Sequence, residues 1–432
     1  MNKKLVFIIV LAVGSWGGKI FGQKQLSDFV NQAFQNSPLL KTNTIQSQAN
    51  DLDAQRMVAA LTKPVVGAEV NYLLAPMYSN DPGNSGFKLN PSKTIKDYYG
   101  YDLSATNGGL YRGVFTLDQP LFNKQRTNAV NEQAVIQNQV LSNSSTLSKH
   151  ELEKLVTDQY ILCLQDVHLQ EAVSHIIDII GQQIGITKKL SANGLAKQGD
   201  YKVLEIEMKQ QETNKQALRN SYKMHLLDLY SICGISDTVI VNLAAINLDL
   251  SNVADVNNSG FVRQYQLDSL SLSASQKLFD AQYKPVVSLY SSAGLNAVYA
   301  PDIYKRLGWQ IGIRFTQKFF DGHQKKLNDQ RTKLLQQTTA INSDFFNQKN
   351  ESRKNALLQA IRSIDEQLQS IQQQVGDYDT LLSYYQKQIA NGQSSVIDYI
   401  TVLRSNAALQ FNRIALQTNR LIAVNNYNYW NW

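Results

Sequence analysis

The feature that most limits how this chain can fold is a pair of proline-free stretches, residues 123–193 and 321–391, in which apolar residues recur every three or four positions. In the first, Leu152, Leu155, Val156, Gln159, Tyr160, Leu164 and Val167 follow helical spacing, and Gln, Asn, Lys and Ser fill the opposite faces. Each stretch ends on the same phrase: Ala192-Asn193-Gly194, five residues, Asp200-Tyr201, and 198 positions later Ala390-Asn391-Gly392, five residues, Asp398-Tyr399. The same offset carries Gln119 onto Gln317 and Phe122 onto Phe320. Phe122 to Gly194 and Phe320 to Gly392 are both 72 positions. Flexible linkers gain and lose residues freely, so a kept separation implies a rigid body and a duplicated chain. At ~1.5 Å per residue, 72 helical residues extend about 108 Å, too long for a globular core, and such a rod needs coiled-coil partners.

The flanks extend this pattern. The Gly of each phrase is placed to turn the chain as a left-handed helix cap, with helices returning over 200–233 and 398–427. An earlier helix spans 25–63, interrupted at Ser37-Pro38, with Ser27 as a candidate cap, Asp28 in the first turn and Pro64 as its stop. Its roughly 36 residues and those of a returning helix each cover ~54 Å, so stacked end to end they match one long rod. The second half has a corresponding helix at 261–282. Between the halves, 234–260 holds a strand-like run, Val239 to Leu243, and is placed as a belt around the rods.

Two strands are predicted in each half, 65–74 and 110–119, then 286–299 and 307–316, with 76–109 as a long polar loop. Tyr111, Phe115 and Leu117 alternate with Arg112, Thr116 and Asp118. Trp309, Ile311, Ile313 and Phe315 alternate more cleanly with Gln310, Gly312, Arg314 and Thr316. An apolar, aromatic face backed by a polar one in strands of about ten residues is the pattern of a membrane β-barrel wall; a half-buried hairpin of a soluble domain is the other reading. Four strands close no useful barrel, and open edges are untenable in lipid, so the chain has to oligomerise; three copies give twelve strands.

Asn2, Lys3 and Lys4, an apolar run from Leu5 to Val13 and small residues after it make 1–22 an export signal, with cleavage expected after Gly22. No later run of about twenty apolar residues exists, so any membrane crossing falls to strands. A formal charge of +7 spread over 432 residues lacks the clustered basic stripe of a nucleic-acid binder. Cys163 and Cys233 read as two packed thiols, a disulfide being the alternative. His168 and His175 share a helix face without a third ligand, which argues against a metal site. Neither a nucleophile elbow, a zinc-protease helix nor a phosphate-cradling glycine loop is present, so no catalytic residue or cofactor is expected. The aromatic end, Tyr427, Tyr429, Trp430 and Trp432, reads as packing at the belt.

The signal, the early helix with Ser37-Pro38, Pro64 and Pro285 before strands, Gln119-Pro120-Leu121-Phe122, Phe319-Phe320-Asp321-Gly322 and the two Gly-x5-Asp-Tyr turns together resemble the TolC-like outer membrane efflux proteins. The likeness covers essentially the whole mature chain. It implies a mixed α/β membrane protein, with an internal duplication over 23–233 and 261–432. A long antiparallel α-helical coiled-coil barrel would join four amphipathic strands per chain, which build a trimeric twelve-stranded β-barrel. It also implies a homotrimer in outer membrane lipid and, as partners, a periplasmic adaptor and an inner membrane transporter of the RND or ABC type.

By the same resemblance Asn193, Gly194, Asn391 and Gly392 form the periplasmic tip where adaptors dock, and Asp200 and Asp398 match acidic positions at a pore constriction. Members with a defined gate carry an Arg two residues after the second Gly and an Asp one helical turn beyond the first carboxylate; this chain has Ser394 and Thr401 there. Asp398 reads either as a lumen carboxylate in a three-fold ring or as a first-turn Asp favoured by the helix dipole, and Asp200 leans to the latter. Arg112, Gln310 and Arg314 are expected in the barrel lumen, and Tyr111, Phe115, Leu117, Trp309, Ile311, Ile313 and Phe315 against lipid. A periplasmic scaffold or adaptor with one helical hairpin and a soluble β head is the alternative function.

Overall fold

The computed structural model describes residues 23–74, 77–83, 85–88, 98–99, 109–252, 259–297 and 300–432; the expected export signal, 1–22, lies outside them. They form α1 (Leu26–Asn36), α2 (Pro38–Thr62), β1 (Val65–Leu74), β2 (Met77–Ser79), β3 (Gly86–Lys88), β4 (Tyr98–Tyr99), β5 (Gly109–Leu121), α3 (Lys124–Ala192) and α4 (Gln198–Ile232). The second half contributes α5 (Gly260–Ala281), β6 (Val286–Ala297), β7 (Leu307–Thr316), α6 (Gln324–Ala390) and α7 (Val396–Trp430). The two proline-free stretches are single helices of 69 and 67 residues. α7 repeats α4 at the 198-position offset, residue for residue.

Three expectations are corrected. The early helix is capped two residues before Ser27, because Gln25 is the cap and Asp28 accepts its backbone N–H at 3.1 Å. The 76–109 loop carries a small antiparallel sheet, ordered β3-β2-β4, whose strands of two or three residues are too short to show a period. Val239 to Leu243 is not a strand; its one ladder contact is a parallel bridge from Leu243 to Lys24. Carbonyls in this run are taken by tyrosine hydroxyls instead, Tyr230 to Val239 at 2.7 Å and Tyr222 to Val241 at 2.5 Å, and Tyr160 donates to Ala244 at 2.7 Å.

The chain divides into two compact units that cut across the duplication, each taking segments from both repeats. Unit 1 comprises residues up to 40, 146–259 and 347–432. In one of its cores Phe29 and Ala33 of α1 meet Val156, Tyr160 and Cys163 of α3 and Leu226, Leu229 and Tyr230 of α4. Its aromatic end is packed as expected: Trp432 stacks on His150 with centroids 4.0 Å apart, and the Arg353 guanidinium lies 3.7 Å from the Trp430 ring centre. Asn431 donates to the Asn252 carbonyl at 2.8 Å, tying the end of the chain to the inter-repeat segment.

Unit 2, residues 41–145 and 260–346, packs its helices largely through amides. Asn50 donates to Asn138 at 2.8 Å, Asn143 to Gln264 at 3.0 Å and Gln336 to Ser273 at 2.8 Å. Gln119 and Gln317, which correspond across the duplication, do the same work: each donates to a carbonyl where a helix hands over to a strand, Thr62 at 2.9 Å and Tyr283 at 3.1 Å. Those carbonyls are left without partners where a helix ends.

Candidate functional site

Two features carry chemistry, one in each unit. In unit 1 both repeated phrases are helix turns of one design. Gly194 has φ 76° and Gly392 φ 70°, conformations a side chain resists. Leu195 N–H reaches the Leu190 carbonyl at 2.9 Å and Gln393 N–H the Gln388 carbonyl at 2.9 Å, the six-residue closure that a left-handed glycine permits. Asn193 and Asn391 precede these glycines and are exposed. The two turns adjoin: a Cβ on Gly392 would sit 3.7 Å from the Leu195 carbonyl.

Behind the turns the hairpins share one core. Ile176, Ile180 and Ile184 of α3 and Leu204 of α4 pack with Leu382 and Ile389 of α6 and Tyr399, Ile400 and Leu403 of α7. Into its margin the Glu207 side chain is 3 % exposed, where it accepts from Arg404 Nε at 2.9 Å and from Gln211 at 2.8 Å. Burial pushes the Glu207 carboxyl up, but the Arg404 and Gln211 hydrogen bonds and the Arg404 charge outweigh it and hold the group below its ordinary range. This pair was missed in the sequence. Its one trace is that opposite charges occupy nearly corresponding places in the two repeats, which helical periodicity does not weigh.

Asp200 and Asp398 differ in their surroundings. Asp200 accepts the Lys197 backbone N–H at 3.1 Å and closes a capping box, a local structural task. Asp398 is exposed in the first turn of α7, whose cap is Ser395, accepting from Ile397 N–H at 3.1 Å. Ser394 and Thr401 hold the flanking places, and the Thr401 hydroxyl is turned back to the Ile397 carbonyl.

In unit 2 the four main strands form one antiparallel sheet, ordered β1-β5-β6-β7. Its register sorts the side chains by face. Val66 pairs Leu117, Ala68 pairs Phe115 and Tyr72 pairs Tyr111; Phe115 then meets Ala293, which meets Trp309. Leu289 meets Ile313, Val287 meets Phe315 and Ser291 meets Ile311 on this same face. It is apolar almost throughout and open: Trp309 is 78 % exposed, with Phe115, Ile311, Ile313 and Phe315 also exposed. Tyr111 is partly covered by Tyr72, the rings 5.0 Å apart.

The opposite face is polar and paired with itself. Arg112 lies 3.8 Å from Glu69, and Arg314 donates to Asp118 at 3.3 Å while its guanidinium covers Tyr290 at 5.1 Å. Gln310 shares this face, next to Ser292. Tyr290 has room only because residue 312 is glycine, since a Cβ there would come within 2.5 Å of its ring. Val114 is a buried apolar residue on the polar face, which also carries Val65, Leu73, Leu110 and Val286 near the strand ends. The outer edges of β1 and β7 pair with no other strand among the described residues.

No model of a known protein family matches the sequence, and no curated protein does. Solved structures do. VceC, an outer membrane protein of Vibrio cholerae, is similar over 93 % of this chain and 95 % of its own, with a TM-score of 0.67 at 13 % identity. The CmeC outer membrane channel of Campylobacter jejuni matches 94 % of this chain and 85 % of its own, with a TM-score of 0.64 at 13 % identity. The MtrE outer membrane channel of Neisseria gonorrhoeae, in its open state, matches 94 % and 88 %, with a TM-score of 0.64 at 14 % identity. With two helical hairpins closed by matching glycine turns and one four-stranded antiparallel sheet, the chain has the fold of the TolC-like outer membrane channels.

Proposed function

We propose that three copies of this chain form an outer membrane channel, the exit duct of a tripartite efflux or type I secretion system. The observation that carries the reading is the sheet: one face apolar and open, the other ion-paired, and both edges unpaired among the described residues. In water such edges invite aggregation, and in lipid an unpaired backbone is untenable; joining β7 of one copy to β1 of the next removes both problems. The apolar face then meets lipid, with Tyr111, Phe115, Leu117, Trp309, Ile311, Ile313 and Phe315 outward, while Arg112, Gln310 and Arg314 line a wet lumen.

Helix contacts between copies have a candidate too. Leu327, Leu334 and Ile341 on α6, and Ile45 and Leu52 on α2, are exposed at seven-residue spacing, the repeat by which helices supercoil. Transport through such a duct is passive, so an inner membrane transporter supplies the energy. An adaptor engages the turns at Asn193-Gly194 and Asn391-Gly392, and opening requires the Glu207–Arg404 contact between hairpins to loosen. Asp398, exposed and free of a capping task, is the better placed of the two carboxylates to face the conduit. Two hairpins in one chain fit a duct better than the single hairpin of an adaptor.

Cell fractionation followed by electrophoresis with and without boiling tests this. A heat-sensitive trimer in outer membranes is the expected result, and a soluble monomer would overturn the reading.

A further inference from the structure

All four junctions between helix and strand in unit 2 fall at one end of the main sheet, because β1 and β6 begin there and β5 and β7 end there. That end carries the two most exposed aromatic residues of the described chain, Phe319 and Phe122, with Phe320 beside them. Phe122 is 88 % exposed, Phe319 93 % and Phe320 78 %. Phe122 also sits at φ 58°, a left-handed conformation that a bulky side chain adopts only against resistance, with its ring exposed rather than packed in a core. A fold shaped only for water gains nothing from three phenylalanines held there.

The charges at these junctions are one-sided. Lys63, Lys124, Lys284, Lys318 and Lys326 are exposed and form no ion pair among the described residues. Carboxylates of the region are engaged: Asp321 accepts the Lys325 N–H at 2.8 Å, Asp280 lies 3.9 Å from Lys325 Nζ, and Asp329 pairs with Lys333 at 2.8 Å. The groove lined by Asp280, Asp321 and Asp329 with Lys325 and Lys326 sets three carboxylates against two lysines, so it is not the attractive feature. The unpaired lysines are spread around the junctions, beyond the last ladder residues of the two edge strands, Val65 and Thr316.

We infer that this collar binds anionic phospholipid of the leaflet at the helix side of the sheet, with the phenylalanines at the acyl boundary and the lysines on the headgroup phosphates. Aromatic rings favour the interface, and each Lys adds attraction to a negative leaflet that salt screens. The inference rests on the membrane-barrel reading, and its test separates the two.

Full-length protein is reconstituted into phosphatidylcholine vesicles with and without phosphatidylglycerol, and the lipids it retains on detergent extraction are counted by native mass spectrometry. Wild-type protein is expected to retain the anionic lipid several-fold over its bulk fraction, less so at high salt. The variant with all five lysines changed to Gln should insert but lose that preference. Phe122→Gly, which relieves the left-handed strain, should melt no lower in detergent yet hold fewer lipids. Insertion with no anionic preference overturns the inference and leaves the barrel standing, whereas failure to float with vesicles of either composition overturns both.

Discussion

Cys163 and Cys233 lie in the same core of unit 1, both fully buried and unbonded, and burial pushes each thiol up to about 12. The thiolate is the reactive form, so neither is expected to react with a thiol reagent at neutral pH while the protein is folded. Titration should count no thiols natively and two per chain after unfolding, and reduction should leave electrophoretic mobility unchanged. A reaction of either thiol in the folded protein would contradict the packing. At this scale the sequence was legible where one residue has one physical task. Gly194 and Gly392 fit left-handed turns, and Gln119 and Gln317 stand out in the sequence as a matching pair, although their carbonyl partners do not. Tasks that depend on a distant partner were not legible. Glu207 and Arg404 are 197 positions apart, and Phe122 gives no sign in the sequence of its left-handed backbone.

Among elements, the α4 and α7 hairpin arms are joined by that Glu207–Arg404 pair. Arg404→Gln removes both guanidinium N–H donors and the charge from beside a buried carboxylate; with Arg404 itself 65 % exposed, the loss is discounted for solvent to about 1–2 kcal/mol of hairpin contact. In a channel the measured result should be higher open probability in planar bilayers, and unchanged gating would contradict the role given to the pair. The pH dependence has a definite sign. The folded Glu207 carboxyl lies below its ordinary value, so its contribution is present above about 4.5 and is lost as pH falls through the folded value. Acid should therefore mimic Arg404→Gln in wild type and add little in the variant.

The sheet makes its own prediction. Ile313→Lys on the apolar face should cost about 2–4 kcal/mol of membrane stability at mid-depth, read as loss of the heat-sensitive oligomer, while Gln310→Lys on the opposite face should be tolerated. Equal effects at both positions would contradict the assignment of faces. Long strands were readable because their period-two alternation persists over ten residues. β2, β3 and β4 were not, since two or three residues hold no period, and Pro120 did not end β5 because the strand continues past it to Leu121.

For the whole molecule, the duplication was legible because helices α3 and α6 end 198 positions apart and the α4 and α7 arms repeat without insertion. Loops tolerate insertion, and the segment between β1 and β5 is far longer than that between β6 and β7. What a repeat does not tell is how the halves share their packing: both compact units draw on both repeats, because a duplicated amphipathic element buries its face against whichever neighbour the topology supplies. The central claim is that β1 and β7, unpaired within one chain, pair between copies and close after three. The most direct measurement places single cysteines along both edges, one on β1 between Val66 and Tyr72 and one on β7 between Trp309 and Phe315. The protein is oxidised in its membrane and the products are sized without reduction. A closed β1-to-β7 junction gives a product that rises to three chains and stops there. A product that stays at one chain, stops at two or continues without limit would contradict it.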